Sequence, residues 1–190
     1  EFLAFMERTP ESVAEVERAV ELDPLSLSTN TARAFPYLAA GQFERTIEKV
    51  NPALELEKDF PLARYYLGRG YDGVGRHKEA VAEYQKAIAA SARSTYFASA
   101  MIYALVKSGQ RAEAEKTFTE IQALAKKERI SPYVLARSLA ALGRKEQALD
   151  ELEKALQERD GLLIVMRIDQ NLDDLRNEPR YHAILKTMRF

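Results

Sequence analysis

The chain has 190 residues, of which 46% are hydrophobic and 30% are charged, and its formal net charge is −1. This balance lacks the basic surplus of a direct nucleic-acid binder, and no apolar run approaches the roughly 20 residues of a membrane span. The absence of cysteine excludes disulfides, thiolate metal sites and cysteine nucleophiles, and we expect a cytoplasmic protein without a cofactor or metal.

Half of the eight glycines follow one strict period, because Gly41, Gly75, Gly109 and Gly143 stand at equal intervals of 34 residues. A fixed period of roughly 20 to 50 residues is typical of a solenoid that stacks one small unit. Each glycine is predicted to close a turn between two helices, where a left-handed backbone is favourable without a Cβ.

The residues that follow each glycine repeat in size as well as in spacing. The fifth position is small and the ninth is large, which is helical spacing. Small side chains let the two helices of a unit approach, and the large one fills the gap beside them. The small residues are Thr46, Ala80, Ala114 and Ala148, and the large ones are Val50, Tyr84, Phe118 and Leu152.

The apolar pattern predicts a series of helices along the chain. Thr9-Pro10 and Ser131-Pro132 each place a capping hydroxyl before a proline, which favours a helix start. Pro36 and Pro52 fall inside predicted helices and each removes a hydrogen bond, so we expect distortion there. The predicted helices are 10–22, 28–40, 43–57, 61–74, 77–90, 95–108, 111–127, 132–142 and 145–158.

The chain resembles the tetratricopeptide repeat family. The residues that carry the resemblance are Tyr66-Leu67-Gly68, Tyr71, Gly75, Ala80, Tyr84 and Ala87, with Glu21-Leu22-Asp23-Pro24 at an earlier boundary. The resemblance implies an all-α, right-handed superhelical solenoid of antiparallel helix pairs. We expect an array over residues 1–158, with a partial unit 1–26 and units 27–60, 61–94, 95–128 and 129–158, followed by a helical cap over 159–190.

The segment Gly68–Gly73 matches the glycine pattern of a dinucleotide-phosphate loop. Such a loop must follow a strand and open a helix. Here Gly68 and Tyr71 occupy repeat positions, so the segment is predicted to be the middle of a helix. A nucleotide-binding enzyme therefore remains only a remote alternative, and no catalytic residue is assigned.

The first helix of each unit lines a concave groove in the family that the chain resembles. Tyrosine and arginine are favoured anchors for bound partners, and arginine attracts acidic peptides. The alternative is that several of these tyrosines only pack between helices. The candidate groove residues are Tyr65, Arg69, Tyr96, Tyr103, Tyr133 and Arg137.

The tail after Glu158 departs from the repeat pattern. A short apolar helix is predicted over residues 161–168 and a last helix over 179–188. The segment 172–181 is similar to a closing segment of bacterial multidomain regulators, in which the array joins a winged-helix DNA-binding domain, a Ser/Thr kinase or a nucleotide cyclase. Asp169, Asn171 and Asp173 imitate the start of a calcium loop, but a capping turn accounts for them better.

Together these features predict a non-catalytic module that binds a protein or peptide, with an acidic partner favoured by Arg69 and Arg137. The alternative is a regulatory domain that dimerises or holds an attached effector in check. Apolar residues at the start, Phe2, Phe5 and Met6, favour self-association.

Overall fold

The computed structural model describes residues 8–188, which form two compact units that meet between Ser94 and Thr95 in the sequence. Within the described part of the chain every regular element is a helix, and none of these helices is long and apolar enough to cross a membrane. Phe2, Phe5 and Met6 lie outside the described residues. The division into the predicted repeat units stays a prediction.

Within residues 8–94 the first unit contains six helices joined by short turns. They are α1 (Thr9–Leu22), α2 (Leu27–Ala32), α3 (Phe35–Ala39), α4 (Phe43–Leu56), α5 (Pro61–Gly73) and α6 (His77–Ala90).

Residues 95–188 of the second unit contain four α-helices of 10 to 15 residues, then two 3-10 helices and a last α-helix. They are α7 (Thr95–Lys107), α8 (Arg111–Ala125), α9 (Pro132–Ala141), α10 (Lys145–Gln157), the 3-10 helices Gly161–Ile168 and Gln170–Leu175, and α11 (Pro179–Thr187).

The four periodic glycines close helix ends as the spacing predicts. Their φ angles are positive, from 69° at Gly41 to 82° at Gly109. Each glycine N–H bonds to the carbonyl three residues before it, and the next N–H bonds to the carbonyl five before, as in Tyr71 O accepting from Arg76 at 2.8 Å. This double closure is the Schellman motif, which satisfies carbonyls that a helix end leaves open.

The small and large residues that follow each glycine are buried in the core of their unit. Ala80, Ala114 and Ala148 have no exposed surface, and the large residues Tyr84 and Leu152 are equally buried. The small positions therefore let paired helices approach, as predicted.

Pro36 divides the predicted helix 28–40 into two short helices. α2 ends at Ala32 and α3 begins at Phe35, so a single helix was the wrong prediction and the expected distortion is confirmed. Proline lacks the N–H that would continue the α2 ladder. α4 instead runs unbroken through Pro52 from Phe43 to Leu56.

The segment Gly68–Gly73 is helical, as predicted, and forms the C-terminal half of α5, with Gly73 as its last residue. A Cβ at Gly68 would lie 2.7 Å from the Tyr84 ring, and one at Gly73 would lie 2.0 Å from Phe43 Cγ. Both glycines serve the close approach of neighbouring helices, so the strand and turn of a phosphate loop are missing at this place.

Candidate functional site

The six candidate groove residues occupy three helices. Four of them are buried, with exposed fractions of 2% or less, and the other two are half-buried. Tyr65 and Arg69 lie on α5, Tyr96 and Tyr103 on α7, and Tyr133 and Arg137 on α9; Tyr96 and Tyr103 are the half-buried pair.

In the first unit, Arg69 and Tyr65 contact each other inside the core. Arg69 Nη1 donates to Tyr65 Oη at 3.0 Å, and the guanidinium carbon lies 5.9 Å from the Tyr65 ring centroid. The Tyr65 ring also packs against Tyr84, with centroids 5.9 Å apart. Because Arg69 is buried, its charge does not face a partner in this structure.

A buried carboxylate lies next to this pair and joins α5 to α6. Tyr84 Oη donates to Asp72 Oδ2 at 2.8 Å, and His77 Nδ1 lies 3.0 Å from Asp72 Oδ1. Burial raises the pKa of Asp72, although the bonds from His77 and Tyr84 oppose the rise. Burial, and then the Asp72 charge, raises the pKa of Tyr84 well above its ordinary value.

In the second unit, Arg137 and Tyr133 both bind Asp169, which lies between the two 3-10 helices. Asp169 Oδ2 is 3.0 Å from Arg137 Nε, and Oδ1 accepts from Nη2 at 3.2 Å. Tyr133 Oη donates to the same carboxylate at 2.7 Å. All three residues have no exposed surface. Burial, then the Asp169 charge, raises the pKa of Tyr133 well above its ordinary value.

Tyr96 covers the other side of the Arg137 guanidinium, whose carbon lies 5.0 Å from the Tyr96 ring centroid. Asn171 Nδ2 donates to the carbonyl of Ser99 on α7 at 3.1 Å. The tail therefore lies along α7 and α9, over positions predicted to face a ligand. The carboxylate that Arg137 meets in this structure belongs to the chain itself.

Asp169 also closes the start of the second 3-10 helix. The Asn171 N–H donates to Asp169 Oδ1 at 3.1 Å. This contact confirms the capping turn rather than a calcium loop. Within residues 8–188, no group of three or more His, Cys, Asp or Glu residues could hold a metal ion.

Tyr103 lines an open cavity, of about 260 Å³, in the second unit. Lys107 Nζ lies 5.3 Å from its ring centroid, and Arg111 on α8 adds a second cation whose Nη2 donates to Leu142 O at 2.8 Å. Gln170 Oε1 is buried, and no described residue donates a hydrogen bond to it. This wall offers cations, an aromatic face and an open acceptor.

Two carboxylates, Asp173 and Asp174, also line this cavity. Asp173 is neutralised by Arg176, whose Nε donates to it at 2.7 Å. An acidic ligand would therefore have to approach from the side of α7 and α8, where the cations lie.

The sequence analysis missed Lys107, Arg111, Asp169 and Gln170 as site residues. Lys107 and Arg111 flank the periodic Gly109, so the same turn that fixes the helix end also places two cations. A charge count around each periodic glycine would have found them. The burial of Asp169 has no sequence signal of this kind, because its partners are 32 and 36 residues away.

Comparisons with known proteins agree with this architecture. A family model described as "Tetratricopeptide repeat" matches residues 37–167. Tetratricopeptide repeat protein 28 of Homo sapiens is 25% identical over 142 residues, which are 73% of this chain and 6% of the human protein. The chain thus spans a small part of the curated relatives that it matches.

Two solved structures have a similar fold. TTC0263, a thermophilic TPR protein in Thermus thermophilus, gives a TM-score of 0.65 at 19% identity and covers 88% of this chain and 92% of its own. YrrB, described as a TPR protein with an unusual peptide-binding site, gives 0.53 at 20% identity and covers 90% and 89%. These likenesses confirm the predicted all-α helical-repeat solenoid.

Proposed function

The chain belongs to the tetratricopeptide repeat family, and from this premise we propose that it is a non-catalytic module that binds a protein or peptide. The binding face is that of Tyr103 on α7, and the partner segment is acidic. Stacked helices preform such a face, which keeps the ordering cost of binding low.

The cavity beside Tyr103 carries the proposal. Lys107 and Arg111 supply positive charge for an acidic side chain, and the half-buried Tyr103 ring supplies a large amphipathic surface. Gln170 lines the same cavity beside them. Arg69 and Arg137 become structural residues under this proposal, because both are buried.

The tail gives an internal example of the same chemistry. Asp169 is an acidic residue that an arginine and a tyrosine of α9 bind together. The peptide-binding site named for YrrB supports a peptide as the ligand class for this fold.

Fluorescence anisotropy with a labelled acidic peptide, acetyl-Asp-Glu-Leu-Asp-Glu-amide, tests the proposal. Replacing both Tyr103 and Lys107 with Ala is expected to weaken binding about tenfold, since an aromatic anchor and a cation are lost. The matched control is Lys116→Ala on α8, whose side chain faces Glu113 at 3.2 Å outside the cavity. Equal affinities for the double variant and the control would reject the Tyr103 face.

Self-association is a second candidate function, favoured by exposed leucines in the first unit. Leu22 and Leu25 are 83% and 75% exposed at the end of α1 and in the turn that follows. Multi-angle light scattering at rising concentration tests this role, with Leu22→Glu and Leu25→Glu as disrupting variants. A monomer at all concentrations would remove it.

We also propose that the module serves a larger regulatory protein, in which it tunes an effector domain. The support is the similarity of segment 172–181 to the closing segment of such regulators. Leu172, Leu175 and Tyr181 of this segment are buried in the second unit. Reading the gene on both sides of the coding region for this chain tests the idea, and an open reading frame with no effector domain would reject it.

A further inference from the structure

A second and larger cavity, of about 530 Å³, lies in the second unit between α8, α9 and α10. Its apolar floor contains Phe118, Leu135 and Leu139, of which Phe118 is only 2% exposed. This volume is within the range of ordinary ligand sites. The remaining lining residues are Gln122, Ala125, Lys126, Arg144, Gln147, Asp150 and Glu151.

Glu151 brings an unsatisfied carboxylate oxygen to this cavity. Its Oε2 is buried, and no described residue donates a hydrogen bond to it. The nearest cation recorded for that oxygen is Lys154 Nζ at 3.7 Å, which is beyond hydrogen-bond distance. A buried acceptor on a charged group is costly to leave without a donor, so this oxygen favours a ligand that donates.

The same helix already binds one guanidinium. Arg180 of α11 donates to Glu153 through Nε at 2.7 Å and through Nη2 at 2.8 Å, and its Nη2 also reaches Asp150 at 2.7 Å. A third carboxylate, Glu146, accepts from Nη1 at 3.1 Å. Carboxylates of α10 therefore accommodate a guanidinium, and Glu151, on a neighbouring face of the same helix, is not among those that Arg180 binds.

Neither positive residue on the cavity wall pairs with Glu151, whose side chain as a whole is 26% exposed. Arg144 is committed to Glu115, whose Oε2 lies 2.6 Å from its Nη2, and its guanidinium carbon lies 5.4 Å from the Phe118 ring centroid. Lys126 lies at the exposed end of α8, immediately after Ala125.

We propose that this cavity binds an arginine side chain of a partner protein. The aliphatic part of the arginine packs on Leu135 and Leu139, and its guanidinium donates to Glu151. The exposed amides of Gln122 and Gln147 stand on the two flanking helices, where they meet the main chain beside the arginine. This site takes a basic segment and does not depend on the acidic ligand of the Tyr103 face.

An NMR titration of the isotope-labelled full chain with the peptide acetyl-Leu-Arg-Leu-amide tests the site. Shifts are expected in the side-chain amides of Gln122 and Gln147. Glu151→Gln keeps the shape and removes the charge, so it is expected to weaken binding about tenfold. The matched control is Glu120→Gln, an exposed change on α8 outside the cavity, which is expected to alter affinity less than about twofold.

Two further measurements keep the outcome decisive. The same peptide with citrulline in place of arginine keeps the shape without the charge and should bind as weakly as the Glu151→Gln protein binds arginine. Gln122→Glu adds a carboxylate to the opposite wall and should tighten binding about threefold. Equal binding of the two peptides, an unchanged affinity in Glu151→Gln, or a loss in Tyr103→Ala as large as that in Glu151→Gln would each overturn the proposal.

Discussion

Arg137 Nε lies 3.0 Å from Asp169 Oδ2, and neither side chain exposes any surface. The pair joins α9 to the junction of the two 3-10 helices, and Tyr133 completes it with a hydrogen bond of 2.7 Å. The charged residue that suggested a ligand in the sequence thus holds the tail in place.

Removing one member of this pair should destabilise the second unit. Asp169→Ala leaves the Arg137 charge buried without its carboxylate, so we expect the free energy of unfolding to fall by about 3 kcal/mol or more. Urea unfolding followed by circular dichroism measures it. The control is Asp173→Ala, an exposed carboxylate whose loss should cost less than about 1 kcal/mol. Equal losses in the two variants would contradict the structural role of the pair.

Stability should depend on pH through Asp72. Burial raises its pKa in the folded state above the ordinary 3.8, so the ionised carboxylate disfavours folding. This cost is absent well below 3.8, grows as pH rises from 3.8 to the folded pKa, and is complete above the folded pKa. The free energy of unfolding of Asp72→Asn, minus that of the original protein, should therefore increase between about pH 3 and pH 7. A difference that shrinks over this range would show that the pKa of Asp72 is lowered.

A methyl group at Gly73 should destabilise the first unit. Alanine would gain about 1 kcal/mol in helix propensity, but its Cβ would lie 2.0 Å from Phe43 Cγ. Overpacking costs about 1 to 3 kcal/mol, so the net change is a loss of stability. Thermal unfolding of Gly73→Ala tests this against Gly161→Ala, where no neighbouring atom lies within 4 Å and little change is expected. Recovery in the Gly73→Ala, Phe43→Ala double variant would identify the Phe43 ring as the cause.

Arg159 occupies the place after α10 that the four periodic glycines hold at their own helix ends. Its φ is 53°, and its N–H and that of Asp160 close α10 through carbonyls three and five residues before, at 3.1 and 2.9 Å. Arg159→Gly relieves the Cβ contact of the left-handed backbone, so we expect it to stabilise the protein by about 0.5 to 1 kcal/mol. Gly143→Ala, at a φ of 78°, should have the opposite sign in the same urea experiment. Two changes of the same sign would contradict the shared motif.

The repeating features of the fold were predictable because they are local. A glycine period fixes the helix ends, and the size of the residue nine places later fixes the packing, as Tyr84 and Leu152 illustrate. The sequence predicted only a distortion at Pro36, where the helix breaks. A proline weakens a helix, but the sequence does not show whether tertiary packing will hold that helix together. α4 survives Pro52, whereas the helix around Pro36 does not.

The candidate site was less predictable, because the position of a residue in the repeat indicates which way its side chain points but not whether that side chain is exposed. Tyr103 and Arg137 occupy equivalent predicted groove positions in successive repeats. Tyr103 lines a cavity, whereas Arg137 is covered by the tail. That cover follows from a segment outside the period, whose contacts span 72 residues in the case of Asn171 and Ser99.

This long-range closure sets an order of events during synthesis. Helix pairs joined at Gly75 or Gly143 need only neighbouring residues and can form as the chain emerges. Arg137 has no carboxylate from Asp169 until the ribosome has released the chain 32 residues beyond the arginine, and Ser99 has no amide from Asn171 until two residues later. The second unit therefore completes its interior only after its last repeat helices have been made.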